Sequence, residues 1–336
     1  MKMAMARMLR ELGSLWLTLG LLIWVAFLLV LERSVDAAID RTIVFPFTAL
    51  FINLLAAIAV HKRLRQQVGL LIFHLSLALL ALLAAAGSMI SLKGHVEVTE
   101  GIAFSSDMVV ADAGPLHPWN LDQVKFVQGP FAINYEAGMN RRHTRSQVML
   151  PDGQGRLLER TVGDDNPMVI KGYRFYTTFN KGFAPILTYT SEDGVTRTGS
   201  VHMPSYPMSD YNQGNEWTPP DGSSPVTLWL NIKQKIYDED GVWDFKIPDR
   251  TVLVVIQGDK RRELSPGQEI RLGSGLLRFE QLRTWMGYAI FYDPTIFWML
   301  SAAALAALGL AWHVTSKIRE TPWNTDSLNE GAAHAN

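Results

Sequence analysis

The stretch VGLLIFHLSLALLALLAAAGSMI, from Val68 to Ile90, decides the fold. It carries no formal charge, and at 1.5 Å per residue a helix of this length reaches about 34 Å, enough to cross a hydrocarbon core of roughly 30 Å. Working outward, three more apolar stretches have the same character: Ser14 to Leu31, Ile43 to Val60 and Thr295 to Val314. Pro46 falls in the first turn of the second, where a missing N–H costs little. The expected fold is therefore a membrane protein with four transmembrane α-helices, three N-terminal (14–31, 43–60, 68–90) and one C-terminal (295–314).

Flanking charge orients these segments, because Lys and Arg in short loops stay on the cytoplasmic side. Lys2, Arg7 and Arg10 precede the first span, Lys62, Arg63 and Arg65 lie between the second and third, and Lys317 and Arg319 follow the fourth. The remaining short loop, 32–42, sets Arg33 and Arg41 against Glu32, Asp36 and Asp40. Both termini are thus expected inside and residues 93–287 outside. Small residues at Val35-Asp36-Ala37 offer a signal-peptidase site, but the first apolar stretch exceeds the roughly 7–15 residues of a signal core, so an uncleaved span is expected.

The expected domains are 1–92 with three helices, 93–287 as an extracytoplasmic β-rich domain, 288–319 with the last helix, and 320–336 as a disordered cytoplasmic tail. In the middle domain Val226, Leu228, Leu230 and Ile232 alternate with Thr227, Trp229, Asn231 and Lys233, the period of a half-buried strand. Similar runs at 123–127, 131–135, 169–179, 186–190, 252–256 and 276–282 are separated by Asp152-Gly153, Asp193-Gly194, Asp240-Gly241 and Pro266-Gly267, so antiparallel strands are expected. The Pro-, Gly- and Ser-rich stretch 204–225 reads as a surface loop or a connector between two β subdomains. MVIKGYRFYTTF and EIRLGSGLLRFEQL share a faint likeness that hints at a repeated β unit.

Charged residues make up 19% of the 336, below the roughly 25% of a soluble domain. The net charge of −1 supplies no basic stripe for nucleic acid. With no cysteine the chain has no disulfide, no thiol exchange and no covalent haem of its own. Phosphate loops, HExxH helices and Ser-centred elbows are absent, and no catalytic residue is assigned.

What remains is histidine. His74 is the ionisable side chain well inside a span, on the order of 9 Å from its cytoplasmic start. Such a residue reads as a haem or metal ligand, a proton relay or an interhelical hydrogen bond, for instance to Ser76. His61 and His313 sit at the ends of the second and fourth spans, where boundary rings are ordinary, yet both share the leaflet of His74. His95 and His117, the latter in His117-Pro118-Trp119, read as surface residues. Ala302, Ala306 and Gly309, with Ala84, Ala85 and Gly87, permit close helix approach, within the chain or to a partner.

The strings VGLLIFHLSLALLALLAAAGSMISLKGHVEVTEG (68–101), DNPMVIKGYRFYTTF (165–179) and GYAIFYDPTIFWMLSAAALAALGL (from Gly287) resemble the ResB (CcsB) family of cytochrome c biogenesis proteins. The resemblance implies a bacterial inner-membrane protein with a periplasmic domain, working in system II. There, with a ResC (CcsA)-like partner bearing a tryptophan-rich WWD loop, it would move haem across the membrane for attachment to apocytochrome c. It implies a non-autonomous subunit of a cytochrome c haem lyase, and haem b shared with the partner, with the position of His74 as an axial ligand. His313 and His61 are secondary candidates. The chain lacks a WWD-type loop, and its VTSKIRE after His313 departs from the basic, aromatic sequence expected there. The competing reading is a membrane scaffold that binds no haem and organises an electron-transfer or assembly complex.

Overall fold

The computed structural model describes residues 2–34, 42–152, 154–208 and 211–320. The Val35-Asp36-Ala37 site, most of the loop 32–42, Gly153 of the expected Asp152-Gly153 turn, and the tail from 321 lie outside the described residues. The chain divides into two compact units. One comprises Met1–Ser91, Ala113–Pro118 and Asp293–Asn336, and the other Leu92–Asp112 and Trp119–Tyr292.

The first unit is helical: α1 (Lys2–Leu12), α2 (Leu15–Ser34), α3 (Val44–Val60), α4 (Lys62–Gln66), α5 (Val68–Ile90) and α6 (Ile296–Glu320). Among the described residues, two helices, α5 and α6, are long and apolar enough to cross a membrane. A third span is added if α1 and α2, bent by 42° at their junction, count as one. The fourth apolar helix, α3, is shorter at 17 residues.

The junction of α1 and α2 has a physical cause. A Cβ on Gly13 would lie 2.8 Å from the Ala57 backbone N, so only glycine lets the chain press onto α3 here. Asn53 of α3, fully buried, meets the break: its Nδ2 donates to Leu12 O (2.6 Å) and also to Ser14 O (3.2 Å), which already accepts from Thr18 N–H. Thr18 donates in turn to Asn53 Oδ1 at 2.7 Å. Leu21, Leu50, Leu54, Ala78 and Ala81 form the core joining α2, α3 and α5. Large apolar side chains such as Trp16, Phe297, Trp298 and Trp312 stay exposed, as lipid contact would favour.

The second unit is β-rich. In chain order its strands begin with β1 (Leu92–Thr99), β2 (Val110–Ala113), β3 (Val127–Glu136), β4 (Asn140–Pro151) and β5 (Leu157–Gly163). Next come β6 (Met168–Ile170), β7 (Tyr173–Thr190), β8 (Thr196–Ser200), β9 (Gly214–Trp217) and β10 (Val226–Ile232). The last are β11 (Trp243–Asp244), β12 (Thr251–Gln257), β13 (Lys260–Leu264), β14 (Glu269–Leu272) and β15 (Gly275–Tyr292). One sheet runs β2-β1-β15-β7-β6 with β14 on β15 and β8 on β7; the others run β13-β12-β10-β9 and β11-β3-β4-β5. The pairings are antiparallel.

Alternation holds in β10, where Val226, Leu228 and Leu230 are buried and Thr227 is exposed. Two expectations change. Residues 123–127 are mostly irregular, because Leu121–Gln123 forms a 3-10 turn and Val124 and Phe126 are buried from an extended segment before β3. The stretch 204–225 contributes β9, which pairs with β10. The two similar strings form two like hairpins, β6–β7 and β14–β15, each a short strand turning into one of 18 residues, and the long strands pair with each other. Tyr288 donates to Gln128 Oε1 and meets Ser146 Oγ, both at 2.7 Å, so a buried polar network joins the sheets.

Candidate functional site

At 100° per residue, His74 lies within about 40° of Ala78, Ala81 and Ala85, the α5 stripe whose first two alanines pack in the core with α3. It lies about 140° from Gly69 on the same geometry. The side chain is half-buried, and the rings of Phe73 and His74 meet edge to face at 5.3 Å. Its Nδ1 is 2.8 Å from Leu70 O one turn earlier. A carbonyl only accepts, so Nδ1 carries a proton; in the neutral ring the lone pair is then on Nε2, which has no protein partner among the described residues. A ring held by a carbonyl through one nitrogen leaves the other free to meet a partner. The exposed Leu75, Leu79 and Leu82 border it with an apolar stripe.

The other two histidines are not gathered around it. His61 is exposed at the boundary of α3 and α4, its backbone N–H donating to Ala57 O at 2.9 Å. His313 touches α5 through its backbone: a Cβ on Gly69 would be 2.6 Å from His313 N, and one on Gly309 2.8 Å from Phe73 N. Paired glycines thus bring α5 and α6 into backbone contact, and Ala302 and Ala306 are buried in the same unit. No hydrogen bond or ring contact joins His74 to His61 or His313 among the described residues. Nor do three His, Asp or Glu side chains there converge as a metal-ion site.

His117 corrects the sequence reading. It is 4% exposed, and its Nδ1 donates to Ile90 O at 2.8 Å. Gly114 N–H donates to Ser91 O and Leu116 N–H to Met89 O, both at 2.9 Å. The segment 113–118 therefore caps α5, satisfying carbonyls that a helix end leaves open. A Cβ on Gly114 would stand 2.2 Å from Met89 O, so this approach requires glycine. His95 is exposed, as expected.

His202 was not singled out by sequence. Its Nδ1 meets Glu97 Oε2 at 3.0 Å, its Nε2 meets Thr99 Oγ1 at 2.8 Å, and its ring stacks on Trp285. With His95 it lines an open cleft of about 570 Å³. Glu97 and His202 are 105 residues apart, and no local pattern links them.

The model of the ResB-like family matches residues 54–320. Comparison with curated protein sequences gives no match. Among solved structures, Cytochrome c Heme Lyase CcmF is similar over 88% of this chain and 34% of that one, at 14% identity and a TM-score of 0.28. The chain spans about a third of that protein's length, and a likeness at this level carries no argument.

Proposed function

The chain belongs to the ResB-like family, and on that premise we propose that it is a membrane subunit of a cytochrome c synthase complex, handling haem as cargo for attachment to apocytochrome c. Family membership supports a role in cytochrome c biogenesis. In this reading α2, α3, α5 and α6 all span the inner membrane, both termini are cytoplasmic, and the β unit is extracytoplasmic. The basic residues of α4 and of the last turn of α6 support that orientation.

The observation that carries the reading is the tautomer of His74. With Nδ1–H committed to Leu70 O, Nε2 offers a neutral donor to haem iron and brings no charge into the bilayer. The exposed leucines beside it offer an apolar face for a macrocycle or for a helix of the partner. A ResC/CcsA-like partner with a WWD loop supplies the second ligand and the ligation surface, and the bound form is haem b shared between the two. His313 and His61 take no ligand role here.

The test is the absorbance spectrum of the chain co-purified with that partner. A b-type spectrum that His74→Ala weakens is the expected result. Full retention of haem and of cytochrome c assembly in His74→Ala removes His74 from the mechanism.

A further inference from the structure

In the β unit, the pairing of β7 with β15 slips between Tyr288↔Thr177 and Met286↔Lys181, so Thr178, Phe179 and Asn180 bulge opposite Gly287. A Cβ on Gly287 would sit 2.7 Å from Thr178 Oγ1, so glycine makes room for the bulge. Bulges re-aim side chains. Here Phe179 is thrown outward, 63% exposed, and Lys181 is turned inward, 2% exposed.

Lys181 is an ammonium with few partners. Nζ donates to Phe179 O at 3.0 Å and stands 5.2 Å from the centre of the Tyr135 ring. No carboxylate pairs with it among the described residues. Arg141, whose guanidinium lies 4.1 Å over the Phe179 ring, is paired with Asp164 at 3.1 Å, so Lys181, Arg141 and Asp164 together carry one net positive charge. Two further donors are idle: the Tyr135 hydroxyl, on a residue 2% exposed, and Arg141 Nε, neither with a partner among the described residues. Buried donors are rarely left so, and these line an open cleft of about 560 Å³ whose rim includes Phe179, Met208 and Tyr211.

We propose that this cleft binds a small amphipathic monoanion, a carboxylate received by Lys181 and the Tyr135 hydroxyl while its apolar body lies on Phe179, Met208 and Tyr211. The cleft volume suits a small molecule. The single net charge suits one carboxylate, and aromatic and thioether walls suit a flat apolar body. Burial, with Arg141 adding to it, pushes the Lys181 ammonium down to about 8, and burial pushes the Tyr135 hydroxyl up to about 12 against the pull of Arg141. At neutral pH both remain donors, and an incoming anion relieves the repulsion between the two cations.

The test uses the full-length chain in neutral detergent and fluorine NMR of para-fluorophenylacetate, with neutral para-fluorophenylacetamide as the comparison. Saturable binding of the acid, weakened about tenfold or more in the amide and in Lys181→Met but unchanged in the exposed Lys260→Met, is expected. Equal binding of acid and amide, no saturable binding of the acid, or wild-type affinity in Lys181→Met overturns the proposal. Should Lys181→Met fail to fold, Phe179→Ala decides: it removes an exposed ring and keeps the carbonyl, so weaker binding of the acid supports the cleft and unchanged binding overturns it.

Discussion

Replacing Lys181 by Met should make the β unit more stable at neutral pH, unlike most losses of a buried polar group. The folded state holds this ammonium at about 8 against an ordinary 10.5. At 1.36 kcal/mol per unit the buried charge costs about 3 kcal/mol at pH 7. Against this, Met gives up the hydrogen bond to Phe179 O and the contact with the Tyr135 ring, together about 2 kcal/mol. A net gain on the order of 1 kcal/mol remains. The sign with pH follows from linkage. Below about pH 8 both states hold the proton and the folded state bears the full cost; between about 8 and 10.5 the unfolded chain alone holds it, so wild-type stability rises through that window. The advantage of Lys181→Met should therefore shrink by about 1 kcal/mol between pH 7 and pH 9. Denaturant unfolding of both proteins in neutral detergent, followed by tryptophan fluorescence, measures it; Trp243 stacks 4.2 Å from Tyr135 and reports locally. A loss of more than about 2 kcal/mol in Lys181→Met, or a difference that does not move with pH, would refute the reasoning.

Gly69→Val should separate α5 from α6, because the new Cβ falls 2.6 Å from a backbone nitrogen that cannot yield without shifting the helix. A lowered unfolding midpoint, corresponding to about 2 kcal/mol or more, is expected, and an unchanged one would refute the close crossing. Asn53→Leu takes the side-chain donor from Leu12 O and the acceptor from the Thr18 hydroxyl and should cost about 1–2 kcal/mol, with faster hydrogen exchange of amides flanking Gly13 as the local readout.

Much of this architecture is legible in the sequence because it rests on period and composition. The uncharged run of α5, the alternation in β10 and the basic α4 each state their environment locally. What escapes is what the chain assembles from distant backbone. His117 looks like a surface residue beside Pro118, yet its partner is a carbonyl of Ile90 at a helix end, which no side-chain pattern records. Ser14–Leu31 reads as a plain span, but the bend before it depends on Asn53 from another helix. His74 stands out by its setting in an apolar run, whereas its tautomer required the position of Leu70 O. Lys181 gives no signal in Asn180-Lys181-Gly182, since a bulge opposite Gly287 turns it inward. The likeness of the two β strings marked a real duplication of hairpin form, too short to weigh before the pairing of β7 with β15 was known.

The short excursion that caps α5 makes the two units interlaced in sequence. The polypeptide passes from one to the other after Ser91, Asp112, Pro118 and Tyr292. No contiguous fragment contains the whole of one without residues of the other. Cutting out 92–292 as a separate product would carry away the hexapeptide that finishes the third apolar helix, and joining the flanks would leave that helix frayed at its Ile90 end. Any dissection of this protein has to leave Ala113–Pro118 with the helices, or be made by substitution alone.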